Sequence, residues 1–179
     1  MVVNSFKQHC PSFFIQNPEM KNEIIIPTIF PGRQYKTICQ RWKKATRFAT
    51  VYDTARRIPV YSAYTLLKLE DINEYKNKKE MMDSPRDLKT VGNIINQAVD
   101  LDYGKSVYTR GHVFPHSYAA NQDQANSTFT LTNIAPQTQN SNGAWEQQVE
   151  EPMRTENKEH LQARPKAPGV HCDRGRSRE

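Results

Sequence analysis

The sequence lacks any long apolar run. No stretch approaches the roughly 18 consecutive apolar residues of a transmembrane helix, so no membrane span is predicted. The residues after Met1 contain neither a basic segment nor an apolar core of the secretory type, so no signal peptide is predicted. Internal repeats are also missing. With 179 residues, of which 36% are hydrophobic, the chain is predicted to form one domain with a real core.

Cysteine is scarce, with only Cys10, Cys39 and Cys172 in the whole chain. No C-x-x-C pair and no cysteine–histidine spacing of a zinc site occurs, which argues against a redox motif and a structural zinc site. Cys10 and Cys39 are candidates for one disulfide, which would suit an oxidising compartment. The alternative is a pair of buried free thiols, and Cys172 lies in a polar segment.

Aromatic residues are missing from residues 151–179. Prolines and glycines interrupt this segment, and its apolar residues show no periodicity. Such composition does not supply enough apolar surface to offset the entropy of ordering. The sequence therefore predicts a domain over residues 1–153 and a disordered polar tail over residues 154–179.

Positive charge is concentrated rather than spread along the chain. The formal net charge is +6, whereas residues 32–60 alone carry eight basic residues and one acidic residue, a net +7. Tyrosine, tryptophan and phenylalanine are interleaved there, as in surfaces that bind a phosphate backbone and stack bases. A solvated basic face is the alternative. The candidate nucleic-acid-binding residues are Arg41, Lys43, Lys44, Arg56 and Arg57.

Several segments have the composition of strands. Residues 47–52 and 58–64 alternate and are rich in β-branched and aromatic residues, which predicts an antiparallel hairpin. Pro59 should lie at the start or edge of its strand. Residues 128–133 also favour a strand that ends at an asparagine. A short helix is predicted over about residues 84–99.

A histidine and an arginine stand two residues apart at Arg110 and His112. In a strand they would share one face, where a guanidinium can pair with phosphate oxygens and a neutral imidazole can accept a proton near pH 7. Gly111 between them allows a close approach of backbone or substrate. A lone histidine in a soluble protein is more often structural, so the pairing carries the prediction.

Three further residues have the chemistry of a metal site. Asn142 precedes a segment that reads as a helix held to the core by Trp145 and Val149, and an amide oxygen is a hard ligand suited to Mg²⁺. It is equally suited to be a helix N-cap or part of a turn. Glu150 lies eight residues on and is either an organiser of water or a surface carboxylate. Asn133 either orients the site or closes a turn.

The ordered set of these segments carries a resemblance. The segments are Tyr108-Thr109-Arg110-Gly111-His112, Asn133-Ile134-Ala135-Pro136-Gln137 and Asn142-Gly143-Ala144-Trp145. Together they resemble the DNA/RNA non-specific endonucleases of the ββα-metal (His-Me finger) superfamily. Residues 39–42, 47–53, 58–64 and 97–100 are similar, more narrowly, to the endonuclease domain-containing 1 branch. The resemblance covers roughly residues 2–153.

This resemblance implies an α+β fold with a ββα-metal core and Mg²⁺-dependent, or Mn²⁺-dependent, cleavage of DNA and RNA. It implies that His112 is the general base and that Arg110 contacts phosphate. By the same resemblance Asn142 is the direct metal ligand, Asn133 supports the site and Glu150 organises metal-bound water. The spacing to Trp145 leaves Asn140 as a second candidate ligand.

The sequence departs from the family pattern at three points. The family aspartate before the arginine is Thr109 here, which removes a carboxylate. Relatives continue past the helix with further strands, so the core is predicted to be truncated. Members of this branch are usually secreted, which implies an extracellular location although no signal peptide is predicted. Thr109 and the missing strands favour one alternative, a weak or inactive nucleic-acid-binding homologue. A basic secreted interaction module is a further alternative.

Overall fold

The computed structural model describes residues 1–20, 22–66, 95–104 and 107–163, and for residues 158 and 160–163 only the backbone. Strands and helices alternate irregularly along the chain. The strands are β1 (Val2–Val3), β2 (Ile15–Gln16), β3 (Ile24–Ile25), β4 (Tyr35–Trp42), β5 (Ala45–Asp53), β6 (Ile58–Ala63), β7 (Tyr108–His112) and β8 (Ile134–Thr138). The α-helices are α1 (Phe6–His9), α2 (Leu101–Gly104), α3 (Gln122–Ser127), α4 (Gln139–Trp145) and α5 (Glu151–Ala163). Short 3₁₀ turns cover Pro11–Phe13, His116–Tyr118 and Leu131–Asn133.

The main sheet is antiparallel, with strand order β1-β4-β5-β6. Strand β5 lies inside it, and its residues from Phe48 to Asp53 are all buried. The predicted hairpin is therefore confirmed as β5 paired with β6. Pro59 is the second residue of β6, which is an edge strand of this sheet. An edge position suits proline because one side of the strand needs no donor.

A disulfide joins the N-terminal segment to the main sheet. Cys10 and Cys39 are bonded with their Cα atoms 6.1 Å apart, which confirms the predicted pair and rules out the two free thiols. Both cysteines are buried in an apolar cluster with Phe6, Phe14 and Val51. The bridge therefore covers one face of the sheet with a segment that has little regular structure of its own.

A second, two-stranded sheet is formed by β7 and β8. Strand β8 and the 3₁₀ turn before it contact β6. The rings of Phe48, Tyr64 and Phe114 pack together between the main sheet and the segment that follows β7. The chain thus has the mixed α+β architecture that the sequence predicted, with the small hairpin held against the larger sheet.

The strand predicted over residues 128–133 is wrong. Thr128 ends helix α3, residues 131–133 form a 3₁₀ turn, and the strand begins only at Ile134. The threonines suggested a strand, but their hydroxyls bond locally: Thr128 Oγ1 donates to the Ala125 carbonyl, and Thr130 and Thr132 bond each other. Such local bonds compete with strand pairing.

Helix α5 extends beyond residue 153, where the domain was predicted to end, and reaches Ala163. Residues 154–163 are therefore helical rather than disordered. Glutamate, lysine, arginine and glutamine are good helix formers, so a helix already begun continues there without an apolar stripe. Residues 164–179 and most of the helix predicted over residues 84–99 lie outside the described residues, and residues 95–99 are not helical.

No helix in the described part of the chain is long and apolar enough to cross a membrane.

Candidate active site

Strand β7 carries the predicted arginine and histidine on one face. Arg110 pairs with Pro136 of β8, and His112 pairs with Ile134. Because strand residues alternate between faces, the side chains of Arg110 and His112 project to the same side, as predicted. A Cβ atom built on Gly111 would lie 1.9 Å from the side-chain oxygen of Gln137. The close approach that this glycine allows is therefore that of the neighbouring strand's side chain.

The imidazole of His112 is buried next to the backbone of its own strand, and its Nε2 has no hydrogen-bond partner among the described residues. Burial and then the nearby His116 lower the pKa of His112 to about 4, and the backbone of Arg110 opposes this shift only in part. A carbonyl favours a proton on the nitrogen that faces it, and a proton on Nδ1 would leave the lone pair on Nε2. His112 is thus neutral near pH 7, and no described residue occupies its Nε2.

Phe129 lies beside this imidazole. Its ring meets the His112 ring edge-on with the centroids 4.9 Å apart, and it meets His116 in the same way at 5.3 Å. Burial also lowers the pKa of His116. Sequence analysis missed Phe129 because it placed residues 128–133 in a strand, and missed His116 although the spacing of four from His112 is visible in the sequence.

Arg110 is half-exposed and already has two neighbours. Its Nη2 lies 3.1 Å from a carboxylate oxygen of Asp100, and its guanidinium lies 5.3 Å from the centroid of the Tyr103 ring. A guanidinium has five N–H donors in a fixed plane, so one ion pair leaves donors for another anion. The aspartate and the ring fix the position of the group beside His112.

Helix α4 begins immediately after β8 and contacts both strands of the hairpin. Its N-cap is Thr138, whose hydroxyl accepts a bond from the Ser141 amide. Asn142 therefore lies inside the helix, and the alternative that it is an N-cap is wrong. It is half-buried, whereas Asn140 is exposed. Of the two candidate ligands, Asn142 is the one held partly under neighbouring groups.

A π-helical turn over Glu146–Glu150 joins α4 to α5. In a regular α-helix eight residues span about 2.2 turns, which would offset Glu150 from Asn142 by about 80° around the helix axis. A π turn accommodates one extra residue, so these eight residues span about two turns. By this geometry the turn reduces the angular offset between Glu150 and Asn142.

Glu150 is half-buried, and its pKa is raised mainly by burial and also by Glu146. A side-chain hydrogen bond from Trp145 opposes this rise. Trp145 itself is 50% exposed. The expectation that Trp145 holds the helix to the core is therefore wrong: its indole serves the Glu150 carboxylate, and only Val149 is half-buried as expected.

Tyr118 ties this helical run to the segment that follows His112. Its hydroxyl donates to the backbone carbonyl of Glu150 at 2.6 Å. One helical turn beyond Glu150 stands Arg154, which is partly buried and whose Nε has no partner among the described residues. Sequence analysis missed both residues, Arg154 because it fell in the predicted tail.

Asn133 is fully buried and its amide is saturated with hydrogen bonds. Its Oδ1 accepts from Ser62 Oγ at 3.0 Å and from the Phe114 amide at 2.9 Å. Its Nδ2 donates to the carbonyls of Phe114 and Thr128, both at 3.1 Å. Two lone pairs and two hydrogens are all an amide offers. Asn133 therefore fixes the chain two residues after His112 and has no capacity left to bind a metal.

The donor set around helix α4 suits a hard cation. Asn142 and Glu150 offer oxygen atoms, and Mg²⁺ takes one or two protein oxygens while keeping several waters. The described residues contain no group of three or more histidine, cysteine, aspartate or glutamate side chains that could hold a metal ion. Such a group is typical of zinc or calcium sites, and an ion that keeps its waters does not need one.

The basic segment is divided in space. Arg41, Lys43 and Lys44 lie at the turn between β4 and β5, whereas Arg56 and Arg57 lie at the turn after β5. The nine residues of β5 put these turns about 26 Å apart. Lys43 pairs with Asp123 at 2.8 Å, Arg56 pairs with Asp53 at 2.8 Å, and Arg57 pairs with Asp102. The sequence therefore suggested one patch where there are two, each partly neutralised.

The similarities to known proteins cover the segments that carry these motifs. The family model for DNA/RNA non-specific endonucleases matches residues 31–162, which is more than half of the chain. The human endonuclease domain-containing 1 protein is 36% identical over 122 residues, and the mouse protein is 34% identical over 122 residues. Each match covers 60% of this chain and 24% of the relative, so the chain spans about a quarter of the relatives' length. The chain belongs to the DNA/RNA non-specific endonuclease family, and within it is similar to the endonuclease domain-containing 1 proteins.

Proposed function

We propose that this chain is a Mg²⁺-dependent endonuclease that hydrolyses phosphodiester bonds in DNA and RNA with little base specificity. The observation that carries the proposal is the state of His112. The ring is neutral near pH 7, and its Nε2 is buried with no hydrogen-bond partner in the part of the chain that the structure describes. A buried acceptor without a partner costs free energy, so its survival in a family site supports a role toward water or substrate.

His112 acts as the general base. The neutral imidazole takes a proton from water through Nε2, and the backbone carbonyl of Arg110 stabilises the imidazolium that forms. A base whose pKa is about 4 in the free protein is weak near pH 7. A bound phosphate beside the ring raises that pKa, because an opposite charge favours the protonated form. The base therefore becomes stronger when substrate is present.

Arg110 binds the phosphate and orients it for in-line attack. The Asp100 carboxylate and the Tyr103 ring hold its guanidinium in place, so little side-chain entropy is lost on binding. Arg154 supplies a second guanidinium beside Glu150. When bound, Mg²⁺ or Mn²⁺ supplies positive charge that stabilises the charge building on phosphorus and on the leaving 3′ oxygen. Asn142 would hold the ion, and Glu150 would organise water near it.

A second candidate function is nucleic-acid binding without efficient cleavage. Thr109 favours it, since this residue stands where the family has an aspartate. Its hydroxyl donates to the Gln137 carbonyl at 3.0 Å, so it serves strand pairing instead of the site. The exposed basic side chains at both turns of β5 would still attract a phosphate backbone, with an affinity that falls as salt rises.

Plasmid nicking distinguishes the two functions. With Mg²⁺ the wild-type protein should convert supercoiled plasmid to nicked and linear forms, and EDTA should stop the reaction. His112→Ala should lower the rate by about 10²–10⁴-fold, because a positioned general base contributes that much. His9→Ala is the matched control, since His9 is an exposed histidine near the N-terminus, far from His112 in the sequence. Salt-dependent binding by a wild-type protein that does not nick would support the second function.

We also propose that the protein works in an oxidising compartment such as the extracellular space. The supporting observation is the buried Cys10–Cys39 bridge, because disulfides persist in secreted proteins and are rare in the reducing cytosol. Thiol labelling of the protein isolated from its native source tests this: one labelled cysteine supports the bridge in that compartment, and three would contradict it.

A further inference from the structure

A groove with aromatic and charged walls lies beside the hairpin, outside the site described so far. Its volume is about 220 Å³. The residues of its wall that matter here are Arg56, Arg57, Asp102, Tyr103, Tyr108 and Pro136. They come from the turn after β5, from helix α2 and from both strands of the hairpin. Four parts of the chain therefore converge on this groove.

The groove lies in line with the proposed catalytic groups. Tyr108, Arg110 and His112 are alternate residues of β7, so their side chains project from one face. Pro136, in the groove wall, is the cross-strand partner of Arg110. Four residues of strand separate His112 from Tyr108 by about 13 Å. A nucleic acid whose phosphate lies at Arg110 and His112 would reach this groove within two or three nucleotides, because an unstacked strand advances more than about 3.4 Å per nucleotide.

The charges around the groove nearly cancel. Arg56 pairs with Asp53, and Arg57 pairs with Asp102. These pairs leave the groove wall itself little net positive charge, so the groove suits a phosphate less well than the Arg110 side chain does. A nucleobase needs flat apolar contact on its faces and both donors and acceptors at its edge. Tyrosine rings with paired arginine and aspartate side chains supply that combination.

Two observations show that the groove is organised before any ligand binds. Arg57 has a left-handed backbone with φ of 61°, which is costly for a residue with a Cβ atom. Its side chain is held by the Gln97 carbonyl at 2.9 Å and by Asp102, whose carboxylate also accepts from the Val99 amide at 2.7 Å. Tyr108 is 49% exposed, so about half of the residue's surface is open to a ligand.

We propose that this groove is a base-binding subsite for single-stranded nucleic acid. The groove binds the nucleobase that lies two or three nucleotides from the phosphodiester bond on which His112 acts. The base lies against the Tyr108 ring with its edge toward Arg57 and Asp102. This inference rests on the proposed nuclease function, and it adds a preference for unpaired over duplex substrate, since a paired base cannot enter the groove.

The test uses single strands of 12 nucleotides with one ordinary phosphodiester and phosphorothioate at every other link. An abasic unit is placed at each position in turn. At one position, two or three nucleotides from the cleavable bond, it should raise KM by about 5- to 100-fold with kcat little changed, as loss of one stacked base does. Tyr108→Ala should raise KM by a similar factor on the intact strand. In that variant the abasic unit should have no further effect.

Val107→Ala is the matched control, because Val107 is exposed and adjacent but does not line the groove. Tyr108→Phe should behave as wild type, and Tyr108→Leu should behave as Tyr108→Ala while keeping a strand-compatible side chain. The proposal is overturned if no position is sensitive to an abasic unit, or if the abasic and Tyr108→Ala effects multiply. It is also overturned if Arg57→Ala weakens intact and abasic strands equally, which would mean that the groove holds backbone.

Failure of the nuclease function would be seen separately, as a wild-type protein that cuts none of these strands with Mg²⁺. The same strands, labelled with fluorescein, then give the answer by anisotropy. One sensitive position in Kd that disappears in Tyr108→Ala supports the subsite. Equal affinities for all strands and variants overturn it.

Discussion

The main sheet and the β7–β8 hairpin are held in place by different forces. The face of the main sheet near the disulfide is covered by an apolar cluster that includes Phe6, Phe14 and Val51. The hairpin that carries His112 is attached to the same sheet by buried polar groups in addition to the ring contacts of Phe114 with Phe48 and Tyr64. Asn133 is one of these polar groups, and Gln40 is another: its side-chain nitrogen donates to Thr132 at 2.6 Å and to Thr50 at 3.3 Å.

The difference matches what each part has to do. Apolar packing is non-directional, so it stabilises a scaffold without fixing the orientation of any one group. Hydrogen bonds between buried groups fix distance and angle, and they are costly when broken. A general base must be positioned relative to water and phosphate within a fraction of an ångström. Such a group therefore needs the support of buried hydrogen bonds. The comparison predicts that polar substitutions near the hairpin impair the fold more than loss of the disulfide does.

The largest effect is expected from Asn133→Ala. It removes four hydrogen bonds and leaves the amide and carbonyl of Phe114 and the carbonyl of Thr128 without this partner. Each buried group left unpaired costs about 1–3 kcal/mol, so we expect a loss of about 4 kcal/mol or more. Urea unfolding measures it, with the exposed Asn140→Ala as control. A loss below about 1 kcal/mol would show that the hairpin does not depend on this amide.

Loss of the disulfide should be somewhat less severe. Cys10 and Cys39 are 29 residues apart, and closing a loop of that size stabilises by about 3–4 kcal/mol in the chain-entropy model. The Cys10→Ala/Cys39→Ala double variant should unfold at lower urea concentration but cleave plasmid normally while folded. Reductant should destabilise the wild type to the same level and leave the variant unchanged. Loss of cleavage in the folded variant would contradict the separation of scaffold from site.

The third prediction concerns pH. The pKa of His112 is lowered from its usual 6.5 to about 4 by burial, so the unfolded chain binds more protons than the folded one between these values. Stability should therefore be fully present above pH 6.5 and fall as pH drops toward 4. A tenfold change in proton affinity corresponds to about 1.4 kcal/mol, so this group should account for a loss of about 2–3 kcal/mol.

The pH dependence of cleavage should also be set by the protonation of His112. The profile of kcat/KM reports the free protein, so its acid limb should lie well below 6.5. The limb for kcat should lie at higher pH, because bound phosphate raises the pKa of the base. His112→Gln keeps a polar side chain and should lose most of the stability decline between pH 6.5 and 4, with the remainder due to His116, whose pKa is also lowered by burial. An acid limb of kcat/KM near 6.5 would mean that a solvated histidine, not His112, is the base.

The sequence predicted the β5–β6 hairpin and the disulfide, but not the turns that position the candidate site. The β5–β6 hairpin and the disulfide were accessible because alternation and cysteine count depend on local sequence. The 3₁₀ turn before Ile134 was not predicted, because threonines favour strands in general, whereas the hydroxyls of Thr128 and Thr130 form local hydrogen bonds and Thr132 also accepts from the distant Gln40. The π turn was hidden for a related reason. A π turn has no characteristic amino-acid composition, so the sequence gives no sign of it. In the structure the turn is seen over Glu146–Glu150, where Tyr118 bonds the Glu150 carbonyl.

The smallest expected effect is a difference in Mg²⁺ requirement between variants of two asparagines in helix α4. Asn142 is half-buried and the π turn reduces its angular offset from Glu150, whereas Asn140 is exposed in the first turn. Loss of a group that only supports a metal ligand costs about 10–100-fold in metal affinity, so loss of a direct ligand should cost at least about tenfold. Asn142→Ala should therefore raise the Mg²⁺ concentration for half-maximal nicking at least tenfold, equivalent to about 1.4 kcal/mol. Asn140→Ala should leave that concentration unchanged. Both variants should unfold at the wild-type urea concentration, because neither amide has a role in the hydrogen bonds that hold the hairpin. If Asn140→Ala has the larger effect, the ligand lies at the exposed end of the helix, and the π turn has no part in aligning it with Glu150.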